Sequence, residues 1–182
     1  MQLPTVFISY IHEDDEHRAQ VLKFAQLLAD LGIDSGIDFW LGPERQDIGE
    51  WAEHYIEKAD YTLVIASTRY RDIGNGYGTD HENRGGKWEI VVLREKLQKA
   101  RSVWTPRILP VLLPGHTEEE IPDFLQPCGA HRYDVPEINE KGIEKLYRTL
   151  TKQPKHVKPE LGESMVLPPK SGPGSPGWES GP

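Results

Sequence analysis

Ser9, Tyr10 and His12 follow a short apolar run, Val6-Phe7-Ile8, and the acidic group Glu13, Asp14, Asp15 and Glu16 comes directly after them. An apolar strand that hands over to hydroxyl, phenol and imidazole groups, and then to an acidic helix entry, opens a βα unit. In open α/β sheets ligands sit beyond the carboxyl ends of the strands, where the N–H groups of the next helix converge. Ser9 and Tyr10 therefore stand where a first strand meets a bound molecule, through side chain or backbone. Packing within the sheet is the alternative role, above all for Tyr10. The four carboxylates invite comparison with a magnesium site. A phosphoacceptor centre of that kind also needs an aspartate at the end of the third strand, and Ser67 stands there. The acidic group reads instead as an N-cap and first helical turn. His12 and His17 have no ligand partner at helical spacing, so no metal site is expected. Gly74-Asn75-Gly76 lacks the helix entry of a phosphate loop and receives no cofactor role.

The elements that must position these groups alternate β and α. Val21, Phe24, Ala25, Leu28 and Leu31 recur at helical spacing, with Asp14 or Asp15 as N-cap and Gly32 as the stop. Residues 33–40 read as a second strand, and residues 41–49 as a polar loop with Gly and Pro breakers. That length suits a binding loop held by a rigid sheet. Residues 50–59 read as a helix with Trp51, Tyr55 and Ala59 on one face. The unbroken β-prone run at 61–67 suits a central parallel strand covered on both sides. Residues 68–86, rich in Gly, Asn, Asp and Arg, read as a loop feeding a third helix over 87–100. Residues 104–113 read as a fourth strand, pushed toward a sheet edge by Pro106 and Pro110. Residues 118–125 form at most a short helix broken by Pro122, residues 130–133 a brief fifth strand, and residues 138–150 a closing helix with Ile143, Leu146 and Leu150 in phase. From residue 152 to 182 the composition turns to Pro, Gly and Ser, which cannot bury a core and reads as a disordered tail or linker. The domain is therefore expected over residues 1–151.

Composition narrows the function. The 182 residues suit one domain, and 37% hydrophobic content supports a sizeable core. The net charge of −8, with no basic run interleaved with aromatics, argues against a nucleic-acid surface. Cys128 is the single cysteine, with no CxxC or Cys/His grouping around it, which speaks against structural zinc and for a reducing compartment, the cytoplasm. No signal-like or membrane-spanning apolar run is visible, so no membrane association is expected.

The segments Val6-Phe7-Ile8-Ser9-Tyr10-Ile11-His12, Asp38-Phe39-Trp40 with Gly49-Glu50-Trp51, the run from Ala59 to Ser67, and Gly86-Lys87-Trp88-Glu89 together resemble the Toll/interleukin-1 receptor (TIR) superfamily, in its SEFIR branch. An FxSY step on the first strand, a so-called BB loop after the second, and a Trp/Glu element opening a later helix occur in order over roughly residues 4–150. The immediate Trp88-Glu89 spacing is the SEFIR-like form. The resemblance implies a flavodoxin-like α/β fold, with about five parallel strands and helices on both faces. It also implies self-association with other TIR or SEFIR domains, as a homo-oligomer or filament on activation.

For function, the resemblance implies one of two roles. The first is an assembly-activated NAD+ glycohydrolase or cyclase in bacterial immune signalling and antiphage defence, with NAD+ as substrate and no cofactor. The second is a non-enzymatic homotypic adaptor. Glu89 matches the family's catalytic glutamate. Nicotinamide leaves a cationic nucleotide as a neutral ring and needs no general acid, so a carboxylate near the anomeric carbon has only to stabilise an oxocarbenium-like transition state. The alternative role for Glu89 is to offset a helix dipole. Ser67 and Tyr70 could line the same cleft and contact ribose, or serve ordinary turn chemistry. Phe39, Trp40 and Trp51 flank the loop and could stack on a base or anchor a neighbour, or be buried core. Arg45, within the loop, completes the expected substrate contacts. A third possibility, an unrelated small-molecule binder on the same fold, would give a monomeric complex with a ligand other than NAD+.

Overall fold

The computed structural model describes residues 3–78, 84–126, 131–169 and 172. Among them, five parallel strands form one sheet: β1 (Thr5–Ser9), β2 (Asp34–Gly36), β3 (Tyr61–Ile65), β4 (Ile108–Leu112) and β5 (Tyr133–Asp134), in the order β2-β1-β3-β4-β5. The helices are α1 (Asp15–Asp30), α2 (Ile48–Lys58), α3 (Thr68–Gly74), α4 (Arg84–Lys99), α5 (Arg101–Trp104) and α6 (Glu144–Leu150). This is the flavodoxin-like α/β arrangement that the alternation of elements implies.

Successive side chains of a strand point to opposite faces, and a sheet covered on both sides needs apolar residues at every position. On one face Val6, Ile8, Leu63, Ile65, Leu109 and Val111 pack against α1 and α6. On the other, Phe7, Val64, Ala66, Ile108 and Leu112 pack against α2, α4 and Trp104 of α5. The N-cap of α1 is Asp14, whose carboxylate accepts the His17 N–H at 2.7 Å. Its stop is Gly32 at φ +81°, a conformation that side chains with a Cβ rarely adopt.

Several boundaries differ from the sequence expectation. The second strand ends at Gly36 instead of Trp40, and Asp38–Trp40 curl into a 3-10 turn closed by Trp40 N–H to Ile37 C=O at 3.2 Å. β2 pairs only with β1, so no second ladder holds it extended past Gly36. The loop expected over 68–86 begins with α3, capped by Ser67, whose hydroxyl accepts the Tyr70 N–H at 3.1 Å. The third expected helix is therefore the fourth, starting at Arg84. β4 is an inner strand, not an edge. Arg107 and Val111 carbonyls accept from β3-side N–H groups and the Leu112 carbonyl from Val135 N–H, so Pro110 turns its missing donor toward β5. β5 begins only level with Val111, and the proline therefore interrupts no ladder. Residues 118–125 hold two 3-10 turns, Glu118–Glu120 and Asp123–Leu125. The closing helix is shorter than expected, although Ile143, Leu146 and Leu150 are buried together as their phase requires. β5 covers the end of the expected fifth strand, while Cys128 and Ala130 lie outside the described residues. Residues 152–169 contain no helix or strand, and their side chains are exposed.

Candidate functional site

β1 and β3 lie side by side with Ser9 level with Val64, so their carboxyl ends open together. In a 2-1-3-4-5 sheet the switch point, where ligands gather, falls between these two strands. Ser9 ends β1 and is fully buried. Its hydroxyl donates to Glu89 Oε2 at 2.6 Å and stands 2.9 Å from the Tyr70 hydroxyl. When Glu89 is ionised its oxygen only accepts, so the chain runs from the Tyr70 O–H to Ser9 Oγ and from Ser9 O–H to the carboxylate. Each bond in such a chain polarises the next.

Glu89 reaches Ser9 because the first turn of α4 packs tightly against the segment that follows β1. A Cβ on Gly86 would lie 2.0 Å from the Ile11 side chain and 3.7 Å from the Tyr10 carbonyl. Only a residue with no side chain lets the first turn of α4 settle there. Gly49 likewise accepts the Trp88 indole, which would lie 3.1 Å from a Cβ at that position. The two glycines hold the start of α4 between β1 and α2, and the carboxylate is carried into the switch-point cleft.

That cleft has a volume of about 230 Å³, and its wall includes Tyr10, His12, Asp38, Ile48, Trp51 and Glu89. Burial pushes the Glu89 carboxyl up to about 8, the Asp38 charge pushes the same way, and the Ser9 hydroxyl works against both. Burial and Asp38 also raise the Tyr10 phenol, which donates to Asp38 Oδ2 at 3.2 Å. Burial raises Tyr70 as well. A carboxyl of raised pKa in a cleft, joined to a buried hydroxyl pair, is the pattern of a chemical site more than of a solvated helix end.

The structure draws together only part of the expected set. Glu89 and Tyr10 line the cleft, and Ser9 stands buried behind Glu89, bonded to it but not part of the wall. Phe39 lies behind Tyr10, the rings stacked 5.4 Å apart and 12° from parallel, with the Arg18 guanidinium 5.0 Å from the Phe39 centroid. Tyr70 is linked to Glu89 only through Ser9, and the Ser67 hydroxyl is occupied by the α3 cap; both residues are fully buried and neither lines the cleft. Trp40 and Arg45 are exposed and stand apart from the cleft wall. Trp51 does line it, with its ring edge against Phe7 at 5.6 Å. Sequence reasoning missed Asp38, which it placed inside a strand, and Gly86, whose signal was the Gly85-Gly86 pair just ahead of Trp88-Glu89.

The family description that matches this chain is the SEFIR domain, over residues 4–146. Among solved structures the chain is similar to a crystal structure of a prokaryotic SEFIR domain. The two are 25% identical with a TM-score of 0.61, over 87% of this chain and 99% of that one.

Proposed function

The chain belongs to the SEFIR family, and from that premise we propose that it is a signalling domain that cleaves NAD+ at the nicotinamide-ribose bond once copies of it assemble. The observation that carries the reading is the Glu89 carboxyl, half-buried in the switch-point cleft and bound to Ser9 at 2.6 Å. Ionised, it faces the positive charge that develops on the ribose as the bond to nicotinamide breaks and its electron pair leaves with the ring. Water then adds to the anomeric carbon, its proton passes to solvent, and the products are nicotinamide and ADP-ribose. The approach of the cationic pyridinium favours the charged carboxylate and offsets the burial that otherwise keeps it protonated. Asp38, on the same wall, adds a second carboxyl facing the cationic pyridinium end of the substrate.

The size of the cleft supports a role for assembly. Small-molecule sites usually span about 300–1,000 Å³, and 230 Å³ seats the nicotinamide riboside end of a dinucleotide and little else. A neighbouring copy packed across the mouth would supply the remaining walls. Among the described residues no helix is long and apolar enough to cross a membrane.

The test is incubation of the concentrated full chain with NAD+, chromatography of the products, and scattering to follow assembly. Release of nicotinamide by the wild type, and its loss in Glu89→Ala at unchanged assembly, is the expected result. Filaments that leave NAD+ intact would instead leave the homotypic adaptor, for which the exposed Ile48 on the cleft wall and the exposed Trp88 beside Gly49 already offer a surface.

A further inference from the structure

The sheet leaves a notch beside β4. That strand runs for five residues, Ile108–Leu112, whereas β5 holds two, Tyr133 level with Val111 and Asp134 level with Leu112. Among the described residues the first half of β4 therefore has no strand beside it on that edge, and a pocket of about 370 Å³ opens there. Its wall is mostly apolar, with Leu97, Ile108, Leu109, Phe124, Leu125 and Tyr133. It is larger than the Glu89 cleft and falls within the usual size of small-molecule sites. An apolar void forfeits the contacts that a packed interior makes, and a hydrocarbon guest restores them.

The polar part of the wall decides what head group such a guest carries. It contains Arg101, Thr105, His131 and Thr149, and no Asp or Glu is among the lining residues. Arg101 opens α5 and Thr105 is its C-cap, still in helical geometry at φ −54° and ψ −45°. Residues four apart on a helix are neighbours, so the two side chains share one side of α5 where it borders the pocket. Arg101 is exposed, and among the described residues neither its guanidinium nor the Thr105 hydroxyl has a hydrogen-bond or ion-pair partner. The Thr149 hydroxyl, by contrast, already donates to the Lys145 carbonyl at 3.2 Å. A free guanidinium beside a free hydroxyl offers a planar fork of N–H groups and one O–H, the donors that a carboxylate accepts in pairs.

The surroundings carry the same sign. Thr149 also borders a second concavity, where Lys145, Arg148, Lys152 and Lys155 stand against the single carboxylate of Glu144. In a chain of net charge −8 this edge is a local excess of positive charge, which draws an anion toward it. We propose that the pocket beside β4 binds a free monocarboxylate with a short hydrocarbon body, its chain against Ile108, Leu109 and Phe124 and its carboxylate against Arg101 and Thr105. A neutral or cationic guest of the same shape leaves the guanidinium unpaired. The site lies on the β4-β5 side of the sheet, away from the switch point between β1 and β3, and does not rest on the NAD+ reading.

The experiment is a titration of the methyl-labelled full chain with sodium octanoate, followed by the ¹³C methyl resonances of Leu97, Ile108, Leu109 and Leu125. Saturable shifts at these methyls are expected, with the dissociation constant falling about fourfold per methylene from butanoate through hexanoate to octanoate. Octanol, with the same chain and no charge, is expected to bind about tenfold or more weakly. Arg101→Gln changes an exposed side chain, so the fold should stand. That variant is expected to lose the preference for octanoate over octanol while its octanol affinity stays that of the wild type. Absence of saturable shifts at these methyls, octanol or octylammonium binding as tightly as octanoate, or an unchanged octanoate affinity in Arg101→Gln would overturn the proposal.

Discussion

Glu89 keeps its proton up to about pH 8 in the folded chain, whereas its ordinary value is 4.5. Between these values the native state holds one proton more than the unfolded state. The contribution of this group to stability is therefore full below about pH 4.5 and is lost as pH rises toward 8. Thermal melts across that window should show the wild-type midpoint falling relative to Glu89→Gln, and parallel curves would contradict the burial of this carboxyl. The working form in the proposed reaction is the carboxylate, so kcat/KM for NAD+ is expected to climb as pH passes through about 8. Ser9 acts on both quantities. Its hydroxyl favours the charged form of Glu89 and takes the Tyr70 hydroxyl behind it. Ser9→Ala is expected to destabilise the fold by about 1–3 kcal/mol by leaving the fully buried Tyr70 hydroxyl unpaired. It should also move the activity limb to higher pH. Urea denaturation measures the first effect and a pH-rate profile the second.

The pairing of Ser9 with Glu89, 80 residues apart in sequence, depends on how tightly the first turn of α4 packs against the segment that follows β1. A methyl group at Gly86 collides with the buried Ile11 side chain. Gly86→Ala is expected to cost about 1–3 kcal/mol through overpacking and to lower NAD+ turnover by drawing Glu89 away from Ser9. Ile11→Ala makes room for that methyl, so the double variant should lose less stability than the two single variants added together, which a double-mutant cycle in urea reads directly. Such close approaches explain which features the sequence displays. α1 is legible because its apolar period, its Asp14 cap and its Gly32 stop all lie within the segment itself. β1 and β3 are legible because burial on both faces leaves continuous apolar runs. α3 is hidden because its cap, Ser67, also ends an apolar run and the helix contributes few buried residues, Tyr70 chief among them. The inner position of β4 depends on where β5 begins, some twenty residues onward, which no local pattern around Pro110 carries. The strand ends and Glu89 could be named as site residues from motifs. Asp38 could not, since its place in the cleft follows from the early end of β2.

Ile48 and Trp88 are both 46% exposed, and Val91, one turn beyond Trp88 on α4, is 54% exposed. Trp88 lies against Gly49 and Ile48 comes near Gly85, so both stand where α2 and α4 meet, with Ile48 also on the cleft wall. A patch of this kind beside an undersized cleft gives a second copy both a reason to bind and a wall to contribute. Binding there has to overcome mutual repulsion between chains of net charge −8, which added salt screens once the Debye length falls to about 10 Å at 0.1 M. Assembly followed by light scattering should therefore strengthen from low to moderate ionic strength, with NAD+ turnover per chain rising in step. Trp88→Glu places a further charge on the patch and also removes the half-buried indole from its seat against Gly49, so its melting midpoint is expected to fall by several degrees and self-association is compared at a temperature where the variant is folded. The same variant should lose self-association and turnover together. A Trp88→Glu chain that still assembles and still releases nicotinamide would place the docking surface elsewhere, and one that stays monomeric yet fully active would show that a single protomer completes the site unaided.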